Sequence, residues 1–160
     1  MTLDSICYII DTTVDALEIK HSASIKMLIK MTFLMETQFK SVINKEHSRL
    51  GFMRMRKDKF KEFVNEYLYL KPELRKKIEN TCLVNFKTDR MDDLIEALIY
   101  NISLQVCVTY AVYNSKYDKA PEIDVKDVAK KYINFWADEF VSDDLLKECV
   151  TRYNVVFSKR

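Results

Sequence analysis

The sequence contains very little glycine and proline. One Gly and two Pro occur among 160 residues, which leaves little material for tight hairpins, bulges or flexible linkers. Apolar residues make up 48% of the chain, and Lys, Glu, Leu, Ile and Met are abundant. This composition favours a compact, mostly α fold. The length fits one domain, and we predict a single domain over residues 1–160.

An excess of charge of one sign is also missing. The 26 basic and 24 acidic residues give a net charge of +2, which argues against nucleic acid as an electrostatic partner. No apolar run approaches the length that spans a bilayer, so we expect no stable membrane insertion. The N-terminal segment carries Asp4, Asp11 and Asp15 and lacks a basic region. We therefore predict no signal peptide and synthesis in the cytoplasm.

Clusters of metal-binding residue types are absent from the sequence. The four cysteines, at positions 7, 82, 107 and 149, are far apart and form no C-x-x-C motif. Only two histidines accompany them. We therefore predict no metal and no cofactor, and we expect buried, reduced thiols.

Apolar spacing predicts a series of helices. The predicted ranges are 6–17, 22–39 with Ser22 as N-cap, 60–67, 73–83 opened by Pro72, 92–113, 125–140, and a last helix to residue 156 capped by Ser142. The range 92–113 is apolar on both sides, which indicates a central helix that is buried all round. The polar segment 41–51 lacks periodicity and ends on Gly51, which predicts a loop or a short irregular hairpin.

Glu36 falls in the last turn of the second predicted helix, between Phe33 and Phe39. A carboxyl at a helix end beside aromatic residues can be partly desolvated. Desolvation raises the pKa of a carboxyl group, and a carboxyl that is protonated near neutral pH can act as a general acid. Taken alone, however, most glutamates are solvated surface residues. The neighbouring sequence is needed to decide between the two interpretations.

The segments "ETQF" at 36–39 and "LGFM" at 50–53 resemble the signature of the lytic transglycosylases and the wider goose-type lysozyme-like superfamily. In that family a helix ends in E-S-x-F/W, and a loop then leads to G-L-M-Q. Gly51, the sole glycine, follows Glu36 by 15 residues, an offset typical of the family. The resemblance implies a lysozyme-like helical domain with a short irregular loop or hairpin after the catalytic helix.

The resemblance also implies roles for individual residues. Glu36 is then the catalytic acid and base, and Gly51, Phe52, Met53 and Arg54 are substrate-binding. A glycine at this position lets the saccharide approach the backbone, where a Cβ would intrude. Arg54 stands where the family has Gln, and it can donate hydrogen bonds to a sugar or to the peptide stem.

Two further segments resemble the family less closely. "NISLQVCVTYAVY", which begins at Asn101, resembles a helix starting N-I-x-x-G-x-x-Y, with Gln105 in place of the glycine. "DVAKKYINFW" resembles the family's A-A-Y-N-A-G, with Tyr132 as the tyrosine of the groove. An alternative register, "AVYNSK", uses Tyr113 and Asn114 but shortens the intervening segment severely. We favour Tyr132, and the resemblance makes Asn101 and Tyr132 substrate-binding residues.

The function implied by the resemblance is cleavage of peptidoglycan glycan strands at the β-1,4 bond between N-acetylmuramic acid and N-acetylglucosamine. A transglycosylase uses a single glutamate and forms a 1,6-anhydro sugar. Because Glu46 is the only other acid in the loop, the sequence fits one carboxylate better than two, although lysozyme-type hydrolysis stays open. A phage enzyme, carried in the virion or released at lysis, fits the expected lack of a signal peptide.

Two other hypotheses fit the composition. One is a non-catalytic helical interaction protein, such as a viral regulator of the Bcl-2-like kind, although the sole glycine precedes Phe52 and forms no Gly-Asp groove motif. The other is a degenerate lysozyme-fold binding protein, which Arg54 and Gln105 favour. The basic cluster at 54–61, which is accompanied by Asp58 and Glu62, is interpreted as a solvated helix face, because the net charge of the whole chain is near zero.

Overall fold

The computed structural model describes residues 2–37, 49–116, 119–137 and 141–157. These residues form eight α-helices and one two-stranded hairpin, which confirms the mostly α fold. The elements are α1 (Leu3–Ala16), α2 (Ser22–Thr37), β1 (Arg49–Leu50), β2 (Met55–Arg56), α3 (Lys57–Glu62), α4 (Pro72–Cys82), α5 (Met91–Tyr100), α6 (Ile102–Lys116), α7 (Val125–Tyr132) and α8 (Asp143–Phe157). π-Helical turns continue α3 over Phe63–Tyr67 and α7 over Ile133–Ala137.

The helix starts follow local capping chemistry. Pro72 opens α4 and the Ser142 hydroxyl accepts a backbone N–H of the first turn of α8, as the sequence predicts. At α2 the prediction was one residue off. Ser22 is already helical, and the carbonyl of His21 accepts the first helical bond, from Ile25. His21 therefore holds the cap position, with a left-handed backbone at φ +60°.

The predicted helix over 92–113 is wrong, because the chain breaks at Asn101. The axes of α5 and α6 meet at 104°. Asn101 has an extended backbone (φ −93°, ψ +100°), and its Oδ1 accepts a 3.0 Å hydrogen bond from the N–H of Leu104. The asparagine thus caps a new helix. The central, buried position that the sequence predicts belongs to α6 alone, where Leu104–Thr109 are buried on every side.

The core consists of two clusters that share α2. Ile25, Ile29 and Phe33 on one side of α2 pack with α1, α5, α6 and the hairpin. Leu28, Met31 and Leu34 on its other side pack with α7 and α8. The C-terminal end of α2 therefore lies where the two clusters meet. In the described chain no single helix is long and apolar enough to cross a membrane, and only the bent pair α5–α6 reaches that length jointly.

The hairpin spans 49–56 and shares only residues 49–51 with the loop or hairpin predicted over 41–51. β1 and β2 pair antiparallel, with Arg49 opposite Arg56 and Leu50 opposite Met55. The residues between the strands, 51–54, are called the glycine loop below. The segment 38–48, which holds the Phe39 and Glu46 of the sequence predictions, lies outside the described residues.

Candidate functional site

The structure brings Glu36 and Tyr132 together. Glu36 is half-buried in the last turn of α2, and Tyr132, 6% exposed, is the last residue of α7. The Tyr132 hydroxyl donates a 2.9 Å hydrogen bond to Glu36 Oε1. The two residues, called the outer pair below, are 96 positions apart in sequence. A hydrogen bond of this length orients the carboxyl group.

A second tyrosine contacts α2 one turn deeper. The hydroxyls of Thr32 and Tyr113 are 2.7 Å apart, and both residues are buried. Thr32 donates its only hydroxyl proton to the carbonyl of Leu28, at 2.9 Å, so Tyr113 is the donor in the bond to Thr32. Thr32 and Tyr113 are called the inner pair below. Both tyrosines that the sequence offers for the groove position therefore bond to α2.

The glycine loop packs against both helices that carry the outer pair. The ring of Phe52 stacks on Phe33, one turn before Glu36, with centroids 6.0 Å apart. Trp136 lies one turn after Tyr132, and its Nε1 donates a 3.2 Å hydrogen bond to the carbonyl of Met53. Trp136 belongs to the π-helical turn that continues α7, and such turns occur frequently at functional sites. These contacts fix the loop beside the carboxyl group.

Gly51 is required for a reason different from the predicted one. Its backbone is left-handed (φ +66°), and a Cβ there would lie 2.4 Å from Cδ of Gln105. Gln105 is fully buried, its Oε1 accepts from the N–H of Phe52 at 2.7 Å, and its Nε2 donates to the carbonyl of Ile99 at 3.1 Å. The space beside the glycine is therefore filled by a side chain of α6, and a saccharide does not occupy it.

Gln105 is a residue whose structural role sequence reasoning missed. It links the glycine loop to the end of α5 through its amide group. The available signals were a glutamine in an otherwise apolar helix and its position where the resembling family has glycine. A buried amide that satisfies both of its ends specifies one arrangement of the elements it joins.

Three predicted substrate-binding residues face the protein interior. Phe52 and Met53 are 2% and 0% exposed, so the prediction that their side chains contact a glycan does not agree with the structure. Asn101 uses both ends of its amide within the fold. Its Nδ2 donates to the carbonyl of Cys82 at 3.0 Å, while its Oδ1 caps α6. The structure assigns it to helix capping and to the contact between α4 and α6.

Arg54 occupies the last position of the glycine loop. Its backbone is left-handed (φ +51°), and its N–H donates to the carbonyl of Gly51 at 3.2 Å, which closes the turn. The side chain is half-buried. Its Nε is buried, and within the described chain no acceptor lies within hydrogen-bonding distance of that nitrogen.

Two residues of the basic cluster that follows the loop, Arg56 and Lys59, are exposed and form ion pairs. Arg56 Nη2 lies 2.6 Å from Asp58 Oδ2, and the hydrogen bond from Arg56 lowers the pKa of Asp58 below its ordinary value. Lys59 Nζ lies 2.7 Å from Glu62 Oε2. These ion pairs agree with the interpretation of this segment as a solvated helix face.

No family model matches the chain, and no curated protein or solved structure matches it. The resemblance to the lysozyme-like superfamily therefore depends on the motif residues themselves. The resemblance stays a prediction. Among the described residues, no group of three His, Cys, Asp or Glu side chains is placed to hold a metal ion.

Proposed function

We propose that the protein cleaves peptidoglycan glycan strands at the β-1,4 bond between N-acetylmuramic acid and N-acetylglucosamine, with Glu36 as general acid and then base. The observation that carries the proposal is the outer pair. Two motifs that are far apart in sequence each contribute one residue, and the two residues share a 2.9 Å hydrogen bond. The packing of α7 against α2 places the two residues side by side.

The arrangement supports the chemistry in a defined way. Glu36 transfers its proton to the glycosidic oxygen as the bond to the anomeric carbon breaks, and the N-acetyl group of the substrate stabilises the cation. The carboxylate then takes the proton of the sugar's 6-hydroxyl, whose oxygen attacks the anomeric carbon and forms the 1,6-anhydro ring. The bond from Tyr132 holds the carboxyl in one direction through both steps.

The surrounding contacts supply rigidity. Stacking of Phe52 on Phe33 and the bond from Trp136 to Met53 fix the glycine loop to the two helices that carry the outer pair. Catalytic groups keep their geometry when neighbours restrict their rotamers and backbone. The buried residues of the loop thus act as a support for the site, and Arg54 is the loop residue whose side chain reaches toward solvent.

Incubation of purified peptidoglycan with wild type and with Glu36→Gln, followed by mass spectrometry of the released muropeptides, tests the proposal. We expect anhydro muropeptides from the wild type and none from the variant. Products with reducing ends that also disappear in the variant would indicate hydrolysis by the same glutamate. Absence of any release by the wild type would overturn the proposal.

One observation favours the non-catalytic interaction protein as a second candidate. Leu83, the residue after α4, is 92% exposed and has a left-handed backbone (φ +55°). Asn101, which is bonded to the carbonyl of Cys82, follows Tyr100 in sequence, and Tyr100 is also exposed. Exposed apolar residues that lie together are a feature of protein-binding surfaces. This candidate gains weight if peptidoglycan stays intact in the experiment above.

A further inference from the structure

We infer that Arg54 binds a carboxylate of the glycan strand beside the bond that Glu36 protonates, so that the protein distinguishes charged from neutral strands. The inference rests on the proposed function and adds a specificity residue to it. A guanidinium group matches a carboxylate because two parallel N–H groups face two oxygens. The packing of the loop alone does not explain why position 54 is an arginine.

The backbone of Arg54 is the first observation. Its φ of +51° is a conformation that glycine adopts freely and that an arginine adopts only under strain. The turn itself needs only the backbone bond from Arg54 to Gly51, which any residue could make. Backbone strain of this kind collects at binding and catalytic positions, where a side chain is needed in spite of it.

The guanidinium group is the second observation. Its Nε is buried and has no acceptor among the described residues, and no ion pair of Arg54 is found there. A buried N–H without an acceptor is unfavourable, so the packing within the described residues does not use the full hydrogen-bonding capacity of the guanidinium group. Downstream, Arg56 and Lys59 are already paired with carboxylates of their own segment. Arg54 differs from them in having no ion pair with any residue that the structure describes.

The position of Arg54 is the third observation. It directly follows Met53, whose carbonyl accepts the bond from Trp136, and Trp136 lies one helical turn from Tyr132. The backbone directly before Arg54 is thus anchored to the helix that carries Tyr132. An anion bound there lies on the same strand of substrate as the bond to be cleaved. The carboxylate can come from the lactyl group of the muramyl residue or from the peptide stem.

The test compares strands that differ in charge. Peptide-bearing strands and amidase-stripped strands with free lactyl groups are each used before and after carbodiimide coupling to methylamine, which neutralises the carboxylates. For the wild type we expect neutralisation to raise KM about tenfold with kcat little changed, as expected for the loss of one charge-assisted contact. The strand type that shows the effect identifies the source of the carboxylate.

Three variants sharpen the test. Arg54→Gln should show the raised KM on charged strands and no further rise on neutral ones. Arg75→Gln is the matched control, since Arg75 also has a buried Nε without an acceptor in the described chain but lies on α4. The KM of Arg75→Gln should rise on neutralised strands as much as the KM of the wild type does. Arg54→Gly removes the strain and should unfold at a higher temperature while sharing the KM defect of Arg54→Gln.

The outcomes separate the inference from the proposed function. Equal KM of the wild type on charged and neutral strands overturns the role of Arg54 and leaves the role of Glu36 intact. If the wild type cleaves no strand, the proposed function fails. Calorimetric titration with the same strands then decides the inference separately, and equal Kd values for charged and neutral strands would overturn it.

Discussion

The inner and outer pairs lie one turn apart on α2, and in each a tyrosine from another helix donates a hydrogen bond to a polar side chain of α2. They differ in burial and in the acceptor. The inner pair is fully enclosed and joins a hydroxyl to a hydroxyl. In the outer pair, Glu36 is half-buried and its acceptor is a carboxyl group. The same tyrosine-to-α2 hydrogen bond thus serves packing in the inner pair, whereas in the outer pair it fits the proposed proton transfer.

The difference follows from position along the helix. A neutral hydroxyl pair tolerates complete burial because each group keeps a partner, whereas a buried carboxylate is costly. At the end of α2 the Glu36 side chain is only half-buried. The glycine loop contributes to this division, since it covers Phe33 below the outer pair and stops at Arg54 beside it.

The largest expected effect comes from removing the acid of the outer pair. Glu36→Gln should lower the rate of muropeptide release at least about 100-fold, because an amide cannot transfer the proton. Its carbonyl oxygen still accepts the bond from Tyr132, so Tm should stay within a few degrees of the wild type. Glu66→Gln, at an exposed position on the π-helical turn after α3, is the control and should keep the wild-type rate. A similar loss in both variants would contradict the assignment.

The next largest effect concerns the loop that supports the outer pair. Gly51→Ala should lower the free energy of unfolding by about 2 kcal/mol or more, because the Cβ meets Gln105 and the backbone is left-handed. Urea unfolding measures the change. In the double variant with Gln105→Ala the clash is absent, so the two losses should be far from additive. Strict additivity would show that the loop does not pack on Gln105.

The smallest effect sharpens the comparison among the tyrosines. Tyr153 packs in the same cluster as Tyr113 and Tyr132, and burial, with smaller contributions from Cys7 and Asp11, raises its pKa to about 12. Because the pKa in the folded state exceeds the ordinary value of 10.0, the neutral form is favoured on folding. Its stabilising contribution is complete below pH 10 and is lost as the pH rises toward 12. Tyrosinate absorbance should show a late step that Tyr153→Phe abolishes, and an unchanged titration curve would contradict this environment.

Much of the helical framework was predictable from local pattern. Apolar spacing and the caps at Pro72 and Ser142 locate most helices, because these signals act within a few residues. The break at Asn101 escaped the periodicity because both flanking segments are apolar, although the resembling motif marks this residue as a helix start. The spacing of apolar residues indicates which residues are buried, but it does not show where the helix axis changes direction.

The site was predictable only in part, and the reason lies in long-range contacts. The motif residues indicate Glu36 and leave two tyrosines open, and both turn out to contact α2. The contact of Gly51 with Gln105 joins residues 54 positions apart, which no local spacing reveals. The burial of Phe52 and Met53 likewise depends on α2 and α6 packing over the loop. Residue types indicate the chemistry of a site, whereas tertiary packing decides which of them reach a ligand.

The division between the two pairs is tested most directly by the rate of muropeptide release per folded molecule in Tyr132→Phe and Tyr113→Phe, measured side by side with Tm. Tyr132→Phe should lose about tenfold in rate, since the carboxyl group loses its orienting bond, while Tm changes little. Tyr113→Phe should lose about 1 to 2 kcal/mol of stability and keep the wild-type rate. A slower Tyr113→Phe beside a fully active Tyr132→Phe would contradict the assignment of the outer pair as the reactive site.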